Sequence, residues 1–229
     1  GHDAAINIMR RILQSQGAEV IHLGHNRSVD EVVKAAVEED ADAVAVSSYQ
    51  GGHIEYFTYL IDRLAVAGAP HVRVYGGGGG VISPEEISLL AGRGIRIFSP
   101  EDGQRMGLEA MVNTIIADCD GESRAAIDVE GILTRSPRAI ACALSVVEQS
   151  TFPDAGFSPL PEDLLEASES HRCAVVGVTG TGGSGKSSLT DELLRRIRLD
   201  QQDKLAVAVL AVDPNRRRSG GALLGDRIR

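Results

Sequence analysis

Apolar residues recur every three or four positions over residues 4–16, with Ala5, Ile8, Met9, Ile12 and Leu13 on one face and Gly17 behind them. That spacing predicts a helix and its stop. EVIHLG (19–24) reads as a strand. SVDEVVKAAVEED (28–40) opens with a capping box, Ser28 with Glu31, and carries an apolar stripe through Val32, Val33, Ala36 and Val37. DAVAVSS (42–48) is a short apolar run of strand length, and residues 53–67 are helical in pattern with Gly68 closing them. HVRVY (71–75) predicts a strand, followed by five consecutive glycines (76–80). Ser83, Pro84 and Glu86 cap a helix over 83–94, IRIF (95–98) is a strand, and a helix covers roughly 102–118.

The predicted order is a helix followed by four strand–helix pairs, with strands apolar on both faces. Such strands belong to a parallel sheet covered on both sides, so the first domain is expected to be α/β, doubly wound and flavodoxin-like. Sheets of that order carry about five strands, with the first one central. The strand not found would precede Gly1, so the sequence reads as part of a longer chain, with His2 in the loop after that strand. In these folds ligands bind at the carboxyl ends of the strands.

Residues 122–170 change character: one helical stretch (136–150) lies between polar segments, and 152–170 is rich in proline and acidic residues. They are expected to form a linker with a short helix, between a domain at 1–121 and a second at 171–229. In the second, CAVVGV (173–178) and KLAVAVLAVDP (204–214) are strand-like, separated by a glycine-rich loop and an apolar-striped helix over 188–199.

Composition narrows the function classes. Of 229 residues, 43% are hydrophobic and 3% aromatic, with 26 glycines, a profile suited to close helix–sheet packing. A formal net charge of −9 argues against a general nucleic-acid or anionic-membrane surface. No apolar run approaches the ~20 residues of a bilayer span. The three cysteines (Cys119, Cys142, Cys173) match no metal-ligand spacing and fit a reducing, cytoplasmic setting.

The clearest chemistry is GTGGSGKS (180–187), which meets G-x-x-x-x-G-K-[ST] at every position between an apolar strand and a helix. Its glycines let backbone N–H groups turn toward phosphates. Lys186 is expected to reach the β- and γ-phosphates, and Ser187 to ligate Mg²⁺. Asp213, at the end of the next predicted strand, suits a Mg²⁺ contact. The pattern does not choose between GTP and ATP.

A second constellation lies in the first domain. GHD (1–3), SSYQGGH (47–53), GGGGGVISP (76–84) and SPEDG (99–103) all follow strands and would converge on one sheet edge. His2 supplies an imidazole, Ser47 and Ser48 supply hydroxyls, and the glycine run lets a flat or bulky ligand approach the backbone. No acidic ribose partner accompanies the glycines, so they are not a dinucleotide fingerprint.

These residues resemble the cobalamin-binding domain of adenosylcobalamin-dependent acyl-CoA mutases. That family carries D-x-H-x-x-G, a Ser-x-Leu stretch and a Gly-Gly loop. Gly1-His2 would be the tail of the first motif, with Ala5 standing where the motif has Gly. Ser47-Ser48-Tyr49 matches the second with Tyr for Leu, and Gly79-Gly80-Val81-Ile82 matches the third. The resemblance implies that His2 displaces the cofactor's benzimidazole and ligates cobalt from below. Asp3 would lie beside it, and the base would thread past Ser47, Ser48, Tyr49, Gly78, Gly79, Gly80 and Ser99.

Residues 171–229 resemble the GTPase chaperones that load and protect B12 mutases, with VDPNRRRSGGALLGDRIR similar to their Mg²⁺-binding switch stretch. The resemblance implies that Gly183, Ser184, Gly185, Lys186, Ser187 and Ser188 cradle GTP. It implies that Ser187, Val212, Asp213 and Asp226 surround Mg²⁺, that Lys186 and Asp213 serve hydrolysis, and that Arg229 approaches the nucleotide. A cobalamin domain followed directly by the GTPase resembles the fused isobutyryl-CoA mutase family. That implies isobutyryl-CoA to n-butyryl-CoA isomerisation, GTP-gated cofactor loading, an acyl-CoA-binding barrel elsewhere in the chain, and a homodimer. A B12-binding chaperone or sensor without mutase activity, a methylmalonyl-CoA mutase relative, a receiver-like regulator and a P-loop kinase of small molecules are the alternatives. Against the receiver stands Ser47-Ser48, where an acidic pocket would be needed.

Overall fold

The structure is a computed structural model, and it describes residues 2–49, 51–120, 126–150, 160–171 and 173–211. The chain divides into two compact units, 1–166 and 167–229.

The first unit begins with α1 (His2–Ser15) and α2 (Val29–Glu38) and continues through β1 (Ala43–Ser47), α3 (His53–Val66), β2 (Arg73–Gly77), α4 (Pro84–Ala91), β3 (Ile95–Phe98) and α5 (Pro100–Cys119). Its strands form a parallel sheet in the order β1-β2-β3. Strand residues alternate between faces. Val74, Ile95 and Ile97 pack with Val32, Val33 and Ala36 of α2, Phe57, Leu60 and Leu64 of α3 and Leu90 of α4. Tyr75 and Phe98 point the other way and pack with Met111 and Ile115 of α5 and Met9 and Leu13 of α1. Both faces are therefore covered, as the expected doubly wound α/β architecture requires.

The helix starts follow their caps. Ser28–Glu31, Ser83–Glu86 and Ser99–Asp102 are all reciprocal capping boxes, with Pro84 and Pro100 in the first turns of α4 and α5. Gly68, past the end of α3, sits at φ 75°, and α5 is kinked at Gly107 (φ 75°, ψ 165°). Gly76 and Gly77 belong to β2 rather than to the loop. A Cβ at Gly76 would strike the Phe57 ring and the Ile97 side chain, so glycine lets α3 lie close on the sheet.

Several expectations are corrected. Residues 19–24 are not a strand, so the described sheet has three strands rather than four. A strand exists only through its ladder, and this segment pairs with no described strand. His2 lies in the first turn of α1, not in a loop. The expected linker holds three helices, α6 (Val129–Leu133), α7 (Pro137–Ser150) and α8 (Glu162–Ser170). The second of these packs on α2, and its Cys142 thiol donates to Asp40 Oδ1 at 3.1 Å.

In the second unit α9 (Lys186–Asp200) follows the glycine-rich loop. The segments 173–178 and 205–211 are not in strand pairing. Val175 and Leu210 are 87% and 94% exposed there. Their sequence is that of buried parallel strands, and no described residue covers them. No helix among the described residues is long and apolar enough to cross a membrane.

Candidate functional site

Register alone gathers the first site. Ser47 of β1 pairs with Gly77 of β2, and Gly77 with Phe98 of β3. The next residues, Ser48, Gly78 and Ser99, therefore leave the sheet side by side at its carboxyl edge. The Ser48 N–H donates to the Gly77 carbonyl at 2.8 Å, which carries the β1–β2 pairing one residue into the loops.

The loops touch where side chains are smallest. A Cβ at Gly78 would strike the Ser48 carbonyl, and one at Gly79 would strike the Tyr49 ring. Gly79 and Gly80 have φ of 56° and 88°, a conformation that favours glycine. Gly78 is buried while Gly79, Gly80 and the Ser47 side chain are exposed. The edge thus offers bare backbone with a hydroxyl and an aromatic ring beside it.

Ser99 has a different first duty. Its hydroxyl donates to Asp102 Oδ2 at 3.1 Å and accepts from the Asp102 N–H at 3.1 Å. It is the N-cap of α5, and the Ser99 backbone N–H holds the Asp102 carboxyl below its usual pKa. His2 and Asp3 fall in the first turn of α1 by backbone position.

Sequence reasoning passed over His53. It is the buried polar residue of the described core, at the start of α3, with Nε2 3.0 Å from Glu86 Oε1 of α4. The Ser83 backbone N–H, and then His53, hold the Glu86 carboxyl below its usual pKa. A lone histidine after two glycines carries no sequence signal for this pairing. Only the capping box that places Glu86 was visible.

The second site is the loop before α9. Gly183 and Gly185 take φ of 75° and 81°, and Gly185 is the helix N-cap with no side chain capping it. The first backbone N–H groups of α9 are left for an anion, and the helix dipole favours one there. The Lys186 ammonium donates to the carbonyls of Gly180 and Thr181, both at 2.8 Å. Ser187 and Ser188 lie in the first turn of α9. Val212, Asp213, Asp226 and Arg229 lie outside the described residues.

Residues 1–100 match the B12 binding domain family, and residues 140–229 match the methylmalonyl-CoA mutase-associated GTPase MeaB family. Over its whole length the chain is 65% identical to a fused isobutyryl-CoA mutase of Nocardia farcinica, and 55% identical to one of Cupriavidus metallidurans. The chain carries these two family matches one after the other. It spans 21% of the length of each of those two relatives. The small subunit of a 2-hydroxyisobutanoyl-CoA mutase from Aquincola tertiaricarbonis aligns with 51% of the chain at 28% identity, and 85% of that subunit is covered. The described sheet edge lies within the stretch that matches the B12 binding domain family, and the loop at 180–187 lies within the stretch that matches the MeaB family.

Proposed function

We propose that the chain handles the cofactor and the nucleotide of an adenosylcobalamin-dependent acyl-CoA mutase. That enzyme would interconvert isobutyryl-CoA and n-butyryl-CoA, with GTP hydrolysis gating cofactor loading. The observation that carries the reading is the pairing, in one chain, of a glycine- and serine-lined sheet edge with a phosphate loop, in the order of the fused mutases. We assign 1–121 to cobalamin binding, 122–170 to the connection and 171–229 to the GTPase.

When bound, adenosylcobalamin supplies the radical chemistry of the carbon-skeleton rearrangement. The chain's own residues bind and orient. His2 would offer an imidazole nitrogen to cobalt, with Asp3 next to it in sequence. Ser47, Ser48 and Tyr49 line one side of the base's path, Gly78, Gly79 and Gly80 the other, and Ser99 closes the edge.

In the GTPase part, Gly183, Ser184 and Gly185 turn backbone N–H groups toward the phosphates, and Lys186 brings a positive charge to the bond that breaks. Ser187, Asp213, Asp226 and the Val212 carbonyl would hold Mg²⁺, which would offset phosphate charge. Ser188 and Arg229 complete the nucleotide contacts. The acyl-CoA substrate would be held by a barrel domain elsewhere in the full protein, which we take to work as a cytoplasmic homodimer.

The test is the full-length protein with isobutyryl-CoA, followed by chromatography of the acyl-CoAs. Formation of n-butyryl-CoA that requires adenosylcobalamin supports the assignment. Cobalamin binding and GTP hydrolysis without isomerisation would replace it with a chaperone or sensor.

A further inference from the structure

A contact that the cofactor motifs do not include joins the starts of α3 and α4 beside the sheet edge. The serine loop after β1 ends at Gly52, whose φ of 86° turns the chain into α3 with His53 as its first residue. The glycine loop after β2 ends at Ser83, the N-cap of α4, whose capping partner is Glu86. The Ser83 N–H donates to Glu86 Oε2 at 2.8 Å, while Glu86 Oε1 lies 3.0 Å from His53 Nε2. One carboxylate therefore stands at the far end of both loops. At their near ends the loops are fastened by the Ser48–Gly77 hydrogen bond. Between those two ties lie Ser48, Tyr49, Gly78, Gly79 and Gly80.

The energetics favour a tie over an incidental contact. The His53 side chain is only 7% exposed, against 30% for that of Glu86. A polar ring buried that far loses its water, and a carboxylate 3.0 Å away offsets part of that desolvation cost. Glu86 is already oriented by the helix cap, so the pair forms with little further loss of side-chain freedom.

We propose that His53 is a positioning residue for the cobalamin base: acting through Glu86, it fixes the distance between the serine and glycine loops. The inference rests on the cobalamin-binding reading above. His53 touches neither the cofactor nor substrate in this account; it sets the width of the slot that the base enters.

The experiment measures binding of hydroxocobalamin and of adenosylcobalamin by the full-length protein, by visible absorbance and calorimetry. A fluorescent GTP analogue is titrated in parallel as a control for folding. In His53→Ala we expect the cobalamin Kd to rise about tenfold, the usual scale for losing an outer partner that orients a ligand-binding group. GTP binding should not change. His53→Gln, whose amide nitrogen takes the place of Nε2, should recover most of the affinity. His53→Ala and Glu86→Ala combined should cost little more than either alone, because both break one contact.

Wild-type cobalamin affinity in His53→Ala with GTP binding intact overturns the proposal. So do additive losses in the double variant, or equal losses of affinity in His53→Ala and His53→Gln, which would make the role structural. If the wild-type protein itself binds no cobalamin, it is the functional reading that fails, and the two failures are thereby distinguished.

Discussion

Lys186 and Gly180 meet across the phosphate loop, the lysine ammonium donating to the glycine carbonyl at 2.8 Å. With the matching bond to Thr181 at 2.8 Å, the side chain braces the loop's curl before any phosphate arrives. A phosphate would compete for the same ammonium as a charged acceptor, and charge-assisted bonds are the stronger kind. The loop is thus braced in advance, and on the proposed reading the lysine would exchange two carbonyls for phosphate oxygens when nucleotide enters.

Lys186→Ala removes both the brace and the cation. We expect GTP affinity to fall by about 2–3 kcal/mol, roughly a hundredfold in Kd, as for loss of a charged hydrogen-bond donor. Cobalamin binding should be unchanged. Titration of each ligand separately checks both halves, and unchanged GTP affinity would contradict the assignment of the loop.

Gly78 should tolerate no side chain. A Cβ there meets a backbone carbonyl, that of Ser48, which cannot rotate away as a side chain would, and the Ile82 side chain as well. Gly78→Ala should cost about 1–3 kcal/mol of stability, the scale of overpacking, and weaken cobalamin binding while leaving GTP binding intact. Thermal unfolding and the two titrations read this out. Gly79→Ala differs in kind: it meets the end of the Tyr49 ring and is also strained by its φ of 56°.

The capping carboxylates give stability a pH dependence of known sign. Glu31, Glu86 and Asp102 are all held below their ordinary values, first by the backbone N–H of the serine that each one caps. A depressed carboxylate contributes stability that is present above its unfolded value and lost as pH falls through its folded value. Unfolding temperature should therefore decline once pH drops below the ordinary carboxylate values of 4.5 for Glu and 3.8 for Asp. Asp102→Asn should flatten the low-pH end of that decline. A profile indifferent to this substitution would show that the α5 cap contributes nothing.

Much of this was legible in the sequence because the signals are local. Ser28–Glu31, Ser83–Pro84–Glu86 and Gly68 each mark a helix end within one turn, and each marks it in the structure. The phosphate loop is equally local, with its glycines, lysine and helix consecutive along the chain, although the segment before it is not in strand pairing. What failed was non-local. EVIHLG has strand composition, but pairing is decided by a neighbour that composition does not name. The packing of 137–150 on α2 rests on Cys142 meeting Asp40, 102 positions apart. The His53–Glu86 contact likewise joins two helix starts that only the sheet brings together. Ser99 lies where the resemblance places a cofactor contact, and its hydroxyl is already engaged by Asp102.

The central claim is that this chain delivers a histidine to cobalt. The direct measurement is the EPR spectrum of the full-length protein with cob(II)alamin, recorded with histidine at natural abundance and again with ¹⁵N-histidine. The account predicts that the nitrogen superhyperfine triplet becomes a doublet on labelling, and that His2→Ala removes it. A triplet unchanged by the label would leave the cofactor's own base on the metal and contradict the account.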